Sequence, residues 1–311
     1  MPWPALTCDN SHYRGPSAGA AAGSETASEL PPEVARYVDA ALADNTLRAY
    51  RTDLEHFRQW GGRLPAGAEE VARYLAQHAA VLSVATLTRR LAGLAKAHRA
   101  MGAASPTESE LVRLTMRGIR RQHGRPQDQV KPLTRDRLHS VLAAMGTGLR
   151  EARDQALLVI GFSGALRPSE LAAIDCRSLE RTARGLILTI PRSKTDPEGQ
   201  GQRIALNADV DGLEPRAALE VWLKRAGIDR GPVFRSLDRH GNLGGTALTG
   251  AAVSQIVKRR LSEAGIAPAG YSAHSLRAGF VTSAALDGVP GWRIRRHTRH
   301  ASQTMVERYI R

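Results

Sequence analysis

Cysteine is nearly missing from this chain: Cys8 and Cys176 are the only two thiols in 311 residues. Two cysteines support neither a disulfide framework nor a cysteine metal site, and such usage fits a reducing, cytoplasmic setting. Long apolar runs are lacking as well, with nothing approaching the roughly 18 residues that a membrane span needs. Residues 1 to 30 are rich in Ala, Gly and Ser and have neither a basic leader nor a continuous apolar core, so a disordered lead-in is expected rather than a signal peptide. No internal repeat is visible. Acidic residues are in short supply, 30 Asp+Glu against 44 Lys+Arg, which leaves a formal charge of +14. That balance suits a polyanionic partner, although an ordinary solvated basic surface gives the same sum. The positions of the arginines decide between them.

What is present, first, is helical periodicity. From Pro31 to about Arg125, Leu47, Tyr50, Leu54 and Phe57 step by three and four, with Asp44 or Asn45 as a cap and Gly61-Gly62 as a stop. A shorter helix is expected around Val71, Tyr74 and Leu75, and another through Val84, Leu87, Leu91, Leu94, His98 and Met101, ended by Gly102. His98 lies on that apolar stripe and reads as a packed histidine, not a ligand. A last helix opens with the capping-box spacing Thr107 to Glu110 and continues through Leu111 and Leu114. Its other face carries Arg113, Arg117, Arg120 and Arg121, with no acidic residue after Glu110 to neutralise them, which favours contact with phosphates. Residues 126 to 132, polar and bracketed by prolines, read as a linker.

A second domain is expected over residues 133 to 311, mainly helical with a small β-hairpin sheet. Helices are predicted through Leu138 and Val141 and over Arg150 to Phe162, followed by Gly164-Ala165-Leu166-Arg167-Pro168-Ser169-Glu170. Pro168 suits a first helical position, which leaves Arg167 extended at the cap, with Glu170 able to reach back and orient the guanidinium. Gly185 to Ile190 and Arg203 to Leu206 read as paired strands, with Lys194 at the exposed tip between them. Helices follow around Ala218 to Ala226 and over Thr249 to Ala264, the latter basic at Lys258, Arg259 and Arg260.

The most informative stretch is the end, His274 to Arg311. His274 and Arg277, three apart, share a face if Ser272 caps a helix running to about Leu286. A guanidinium beside an imidazole suits a phosphate, one offering a fixed fork of donors and the other a proton near neutral pH. His300 and Tyr309 are nine residues apart and cannot share a face of one straight helix, so a bend near Ala301-Ser302 is expected. A phenol has a pKa of about 10 and is a slow nucleophile unless cations and a base surround it.

The ordered set of Arg167 with Glu170, Lys194 in a hairpin, His274 and Arg277, His300 and Tyr309 resembles the active-site signature of the tyrosine recombinases, the phage-integrase family. The resemblance covers about residues 32 to 311. It implies a helical core-binding domain over residues 31 to 125, a linker and a mixed catalytic domain. It further implies a site-specific DNA recombinase or integrase that cuts strands through a 3′-phosphotyrosyl link to Tyr309. Arg167 and Arg277 would bind the non-bridging oxygens, Lys194 would protonate the departing oxygen, His274 would move the tyrosine proton, and His300 would hydrogen-bond the phosphate. Glu170 would support Arg167, and Arg113, Arg117, Arg120 and Arg121 would contact DNA. Because the ester energy is kept in a covalent intermediate, no ATP, metal or other cofactor is implied. The implied partner is a specific double-stranded DNA site occupied by a homotetramer.

Two departures from the family pattern stand out. The residue before the second histidine is commonly glycine and here is Arg299, so either the local turn differs or the arginine adds a phosphate contact. The sequence also ends two residues past Tyr309, where relatives continue into a tail that docks on a neighbouring subunit. The alternative reading is therefore a DNA-binding protein of the same fold with lost or reduced catalysis. A type IB topoisomerase shares the chemistry, and a metal hydrolase on His274, His297 and His300 is disfavoured because no nearby carboxylate or cysteine completes a ligand set.

Overall fold

The computed structural model describes residues 44–126, 129–191, 201–207 and 212–300, with residues 302, 304 and 307 beyond them. It separates into two compact units, Met1–Gln127 and Asp128–Arg311. Among the described residues, the first unit contains helices α1 (Asp44–Gln59), α2 (Ala68–His78), α3 (Val84–Ala100) and α4 (Glu110–His123).

In that unit α1 packs on α3, and α2 packs on α4. The three- and four-residue spacing turns Leu54, Phe57, Tyr74, Leu75, Leu87 and Leu94 into one core. His98 is fully buried: its Nδ1–H donates to the Leu94 carbonyl (2.8 Å) and its Nε2 accepts from the Ala66 N–H (2.8 Å). The start of α4 differs from expectation. Pro106–Glu108 forms a 3-10 turn, and the cap is Ser109, whose hydroxyl accepts from the Val112 N–H at 3.3 Å. With that phase Val112, Met116 and Ile119 face the core, while Leu111 and Leu114 are 46% and 48% exposed. Arg113, Arg117, Arg120 and Arg121 are exposed along the same helix.

Among the described residues, the second unit is mainly helical with two small antiparallel sheets. Its helices are α5 (Arg135–Ala143), α6 (Leu149–Ser163), α7 (Pro168–Ala172), α8 (Pro215–Ala226), α9 (Gly250–Glu263), α10 (His274–Leu286) and α11 (Gly291–Thr298). Strands β1 (Leu179–Thr182), β2 (Gly185–Ile190) and β3 (Gln202–Asn207) form an antiparallel meander, and β4 (Arg235–Leu237) pairs with β5 (Leu243–Ala247). The pairing of β2 with β3 runs from Gly185 opposite Asn207 to Ile190 opposite Gln202. The strands β1, β4 and β5 are additions to the sequence reading. They are short, polar or glycine-containing, so they give no apolar alternation to detect.

Helix α6 is the centre of this unit. Every residue from Ala156 to Phe162 is buried, and the helix packs against α8 and α10. The entering chain is pressed onto α10: a Cβ at Gly279 would stand 1.7 Å from the Leu133 carbonyl oxygen, and the Leu133 N–H donates to the Ser275 carbonyl at 2.9 Å. Only glycine permits this approach.

A buried ion cluster ties α6 to α9. Asp154, fully buried, accepts through Oδ1 from Arg153 (2.9 and 2.7 Å) and through Oδ2 from Arg259 (2.5 Å) and Arg260 (2.7 Å). Arg260 also reaches Glu151 (2.9 Å) and Glu263 (2.7 Å). Two arginines that gave α9 its basic look in the sequence are therefore committed to carboxylates of the unit's interior.

Candidate active site

Arg167 sits at the N-cap of α7 with an extended backbone, the conformation imposed by Pro168. Its N–H donates to Glu170 Oε2 (2.9 Å), and its Nη1–H donates to Glu170 Oε1 (2.6 Å). One buried carboxylate thus closes the helix terminus and aims the guanidinium.

Arg277 lies one turn into α10 and is 3% exposed. Its Nη1–H donates to the Ala165 carbonyl at 2.6 Å. Ala165 has φ +44°, in the left-handed region that side chains disfavour. Arg299, the residue that ends α11, has φ +59° and ψ +41°. The Arg299 carbonyl accepts from Arg167 Nη2 at 3.4 Å. Among the described residues, these two are the non-glycine positions with positive φ, and the carbonyl of each meets a site arginine.

The turn before the second histidine therefore keeps the left-handed shape that glycine would adopt at no cost. The Arg299 side chain folds inward, and its Nη2–H donates to Glu170 Oε2 at 2.7 Å. Glu170 is shared by two guanidinium groups. Burial and the neighbouring Arg167 both oppose the charge on Arg299, while Glu170 supports it; burial is the largest influence and pulls its pKa below the usual arginine range.

His300 is buried beside this cluster. Thr298 Oγ1 lies 2.8 Å from the Ile294 carbonyl and 2.7 Å from His300 Nδ1, so one hydroxyl links the backbone of α11 to the ring. Burial, followed by the charges of Arg277, Arg167 and Arg299, depresses its pKa from 6.5 to about 3. Burial first, and then the three guanidinium charges, favour the neutral imidazole.

His274 begins α10 and is exposed, while Arg277 on the next turn is not. The N-cap position is Ala273, not Ser272 as expected; Ser272 stands one residue further out, where its hydroxyl accepts from the His274 N–H at 3.2 Å. His297 is engaged elsewhere: its ring stacks on Phe280 and its Nε2 meets the Ser163 carbonyl at 2.7 Å. The parts played by Thr298 and Ala165 were not found by sequence reasoning, and Arg299 was singled out there only with its turn and its target left open. A threonine two residues before a histidine, or an alanine in a turn, has no distinguishing signal. Lys194 and Tyr309 lie outside the described residues.

A cavity of about 1190 Å³ opens beside His300 and Arg299, between β3 and α11. Arg203, Arg293, Arg295 and Arg296 also line it. A basin lined by this many arginines attracts anions and repels cations.

Residues 131–311 match the model of the phage integrase family. The chain is 35% identical over 299 residues to the integrase/recombinase xerD homolog of Selenomonas ruminantium, covering 92% of this chain and 87% of that protein. It is 28% identical over 274 residues to the recombinase cre of Escherichia phage P1, covering 82% of this chain and 78% of that one. Its fold is similar to that of a lambda integrase tetramer bound to a Holliday junction, with a TM-score of 0.62, 17% identity, and coverage of 89% of this chain and 76% of that one. The chain belongs to the phage integrase family, the tyrosine recombinases, whose members are enzymes that cut and rejoin DNA.

Proposed function

We propose that this chain is a site-specific recombinase that exchanges DNA strands through a 3′-phosphotyrosyl intermediate on Tyr309. The observation that carries the reading is the arginine cluster beside buried His300, in which Arg167 and Arg299 share Glu170 and buried Arg277 is fixed on the Ala165 carbonyl. Such a cluster is costly unless an anion joins it, and a DNA phosphate is the anion that a basic cavity of this size suits.

In the proposed reaction the Tyr309 oxygen attacks phosphorus, the bond to the 5′-oxygen breaks, and Lys194 protonates that leaving oxygen. Arg167 and Arg277 hold the non-bridging oxygens, where charge grows in the transition state. His274 takes the proton from the phenol and returns it on religation. The incoming 5′-hydroxyl of a second strand then attacks the phosphotyrosine and restores the phenol. His300, neutral and with its Nδ1 against the Thr298 hydroxyl, is assigned the tautomer that carries its proton on Nε2 and donates it in a hydrogen bond to a phosphate oxygen.

The first unit is assigned to gripping the duplex with Arg113, Arg117, Arg120 and Arg121, and four copies are assigned to two duplexes. Replacing Arg117 and Arg121 with alanine is expected to weaken DNA binding at every sequence. It should flatten the slope of log affinity against log salt by about 1.8, or 0.9 for each lost phosphate contact on duplex DNA. An unchanged slope in a salt titration would show that the stripe faces away from DNA.

The function is tested with a nicked duplex from which the cleaved strand diffuses away. A covalent complex mapped to Tyr309 is the expected result. A salt-sensitive mobility shift with no covalent product would leave a DNA-binding protein. Relaxation of supercoils without dependence on a site would point to a topoisomerase.

A further inference from the structure

Glycine is free at positive φ, whereas an arginine there is strained and persists only when its surroundings hold it. At position 299 this sequence keeps the left-handed turn and fills it with the largest cationic side chain available. The side chain is 7% exposed. One of its nitrogens, Nη2, is held by Glu170, while Nε and Nη1 are buried and have no hydrogen-bond partner among the described residues. Charged donors left unmatched inside a protein mark either strain or the place of an absent ligand. Here the residue lines the basic cavity next to His300, which identifies the ligand's charge.

We propose that Arg299 is a third phosphate-binding guanidinium of this active site, tethered through Nη2 to Glu170 and directing Nε and Nη1 at a non-bridging oxygen of the DNA phosphate under attack. The assignment rests on the recombinase reading above. Glu170 then serves as a shared anchor: Oε1 holds Arg167, and Oε2 holds Arg299. The two forks are kept at a fixed separation by one carboxylate. The strain at position 299 is offset when the phosphate supplies an acceptor for Nε and Nη1.

The test uses Arg299→Gly, which relieves the backbone strain, and Arg299→Lys, which keeps the charge without the fork. Single-turnover cleavage is measured with each protein on a nicked duplex whose reacting phosphate is either an ordinary diester or an uncharged methylphosphonate. Thermal melting is followed in parallel. Arg299→Gly is expected to melt no lower than the parent yet to cleave the diester at least tenfold more slowly. The deficit should fall below threefold on the methylphosphonate, which has no charge to neutralise. Arg299→Lys should fall between the parent and Arg299→Gly on the diester. Equal deficits on both substrates would reduce Arg299 to a positioning residue and overturn the proposal, as would diester cleavage by Arg299→Gly at or above the parent rate. Absence of any covalent complex from the unsubstituted chain would instead sink the recombinase reading, and this inference with it.

Discussion

Arg277→Ala is expected to slow strand cleavage by about 10²–10³-fold, the loss of one oxyanion donor worth roughly 2.7–4 kcal/mol in the transition state. DNA affinity should change by less than tenfold, because most of it comes from the many phosphate contacts elsewhere. The reason for the asymmetry is position. Arg277 is buried and already directed by the Ala165 carbonyl, so it adds little to the encounter and much to the moment when charge builds on the phosphate. The substitution also strands that carbonyl, at a cost of about 1–3 kcal/mol. Melting curves are therefore needed to show that the slow protein is folded. Arg277→Lys keeps a charge but loses the planar fork, and an intermediate rate is expected. Gel-shift and covalent-trapping assays on the same variants decide the matter: equal losses in binding and cleavage would contradict the role assigned.

The second large effect concerns stability. Asp154→Ala is expected to destabilise the second unit by roughly 3–5 kcal/mol, because removing one member of a buried ion cluster leaves its partners uncompensated. Arg153 and Arg260 are almost wholly buried around it, with side chains 5% and 4% exposed. The loss is comparable with the whole stability of many domains, about 5–15 kcal/mol. Urea unfolding followed through the fully buried Trp222 would report it. A change below about 1 kcal/mol would mean that water or the other acids, Glu151 and Glu263, take over the role, as they do at exposed pairs.

The residues that the sequence made legible are those whose chemistry needs a particular neighbour at a particular spacing. Arg167 could be placed beside Glu170 because Pro168 dictates the backbone before it, and a carboxylate three residues on has few other places to go. The helices over Leu54–Phe57 and Leu87–Leu94 were legible because their apolar stripes are long. Phase at a helix start was not: Thr107 and Ser109 both head a plausible capping pattern, and the choice moved Leu111 and Leu114 from core to surface. Charge direction was not legible either. Arg259 and Arg260 read as a basic face, and only the fold reveals that Asp154 draws them inward. The substitution at position 299 was visible as a departure, but sequence left both its turn and its target open, since a φ angle and a carboxylate 129 residues away are tertiary facts.

The two left-handed residues at this site carry a wider implication. Main-chain oxygens of Ala165 and Arg299 aim the forks of Arg277 and Arg167, and a main-chain oxygen survives any ordinary side-chain replacement. In the proposed reaction the two guanidinium groups would thus be preorganised by covalent geometry, and little reorganisation energy would be spent when the substrate arrives. Drift in the surrounding sequence can retune the cations' strength while their orientation stays inherited from the backbone.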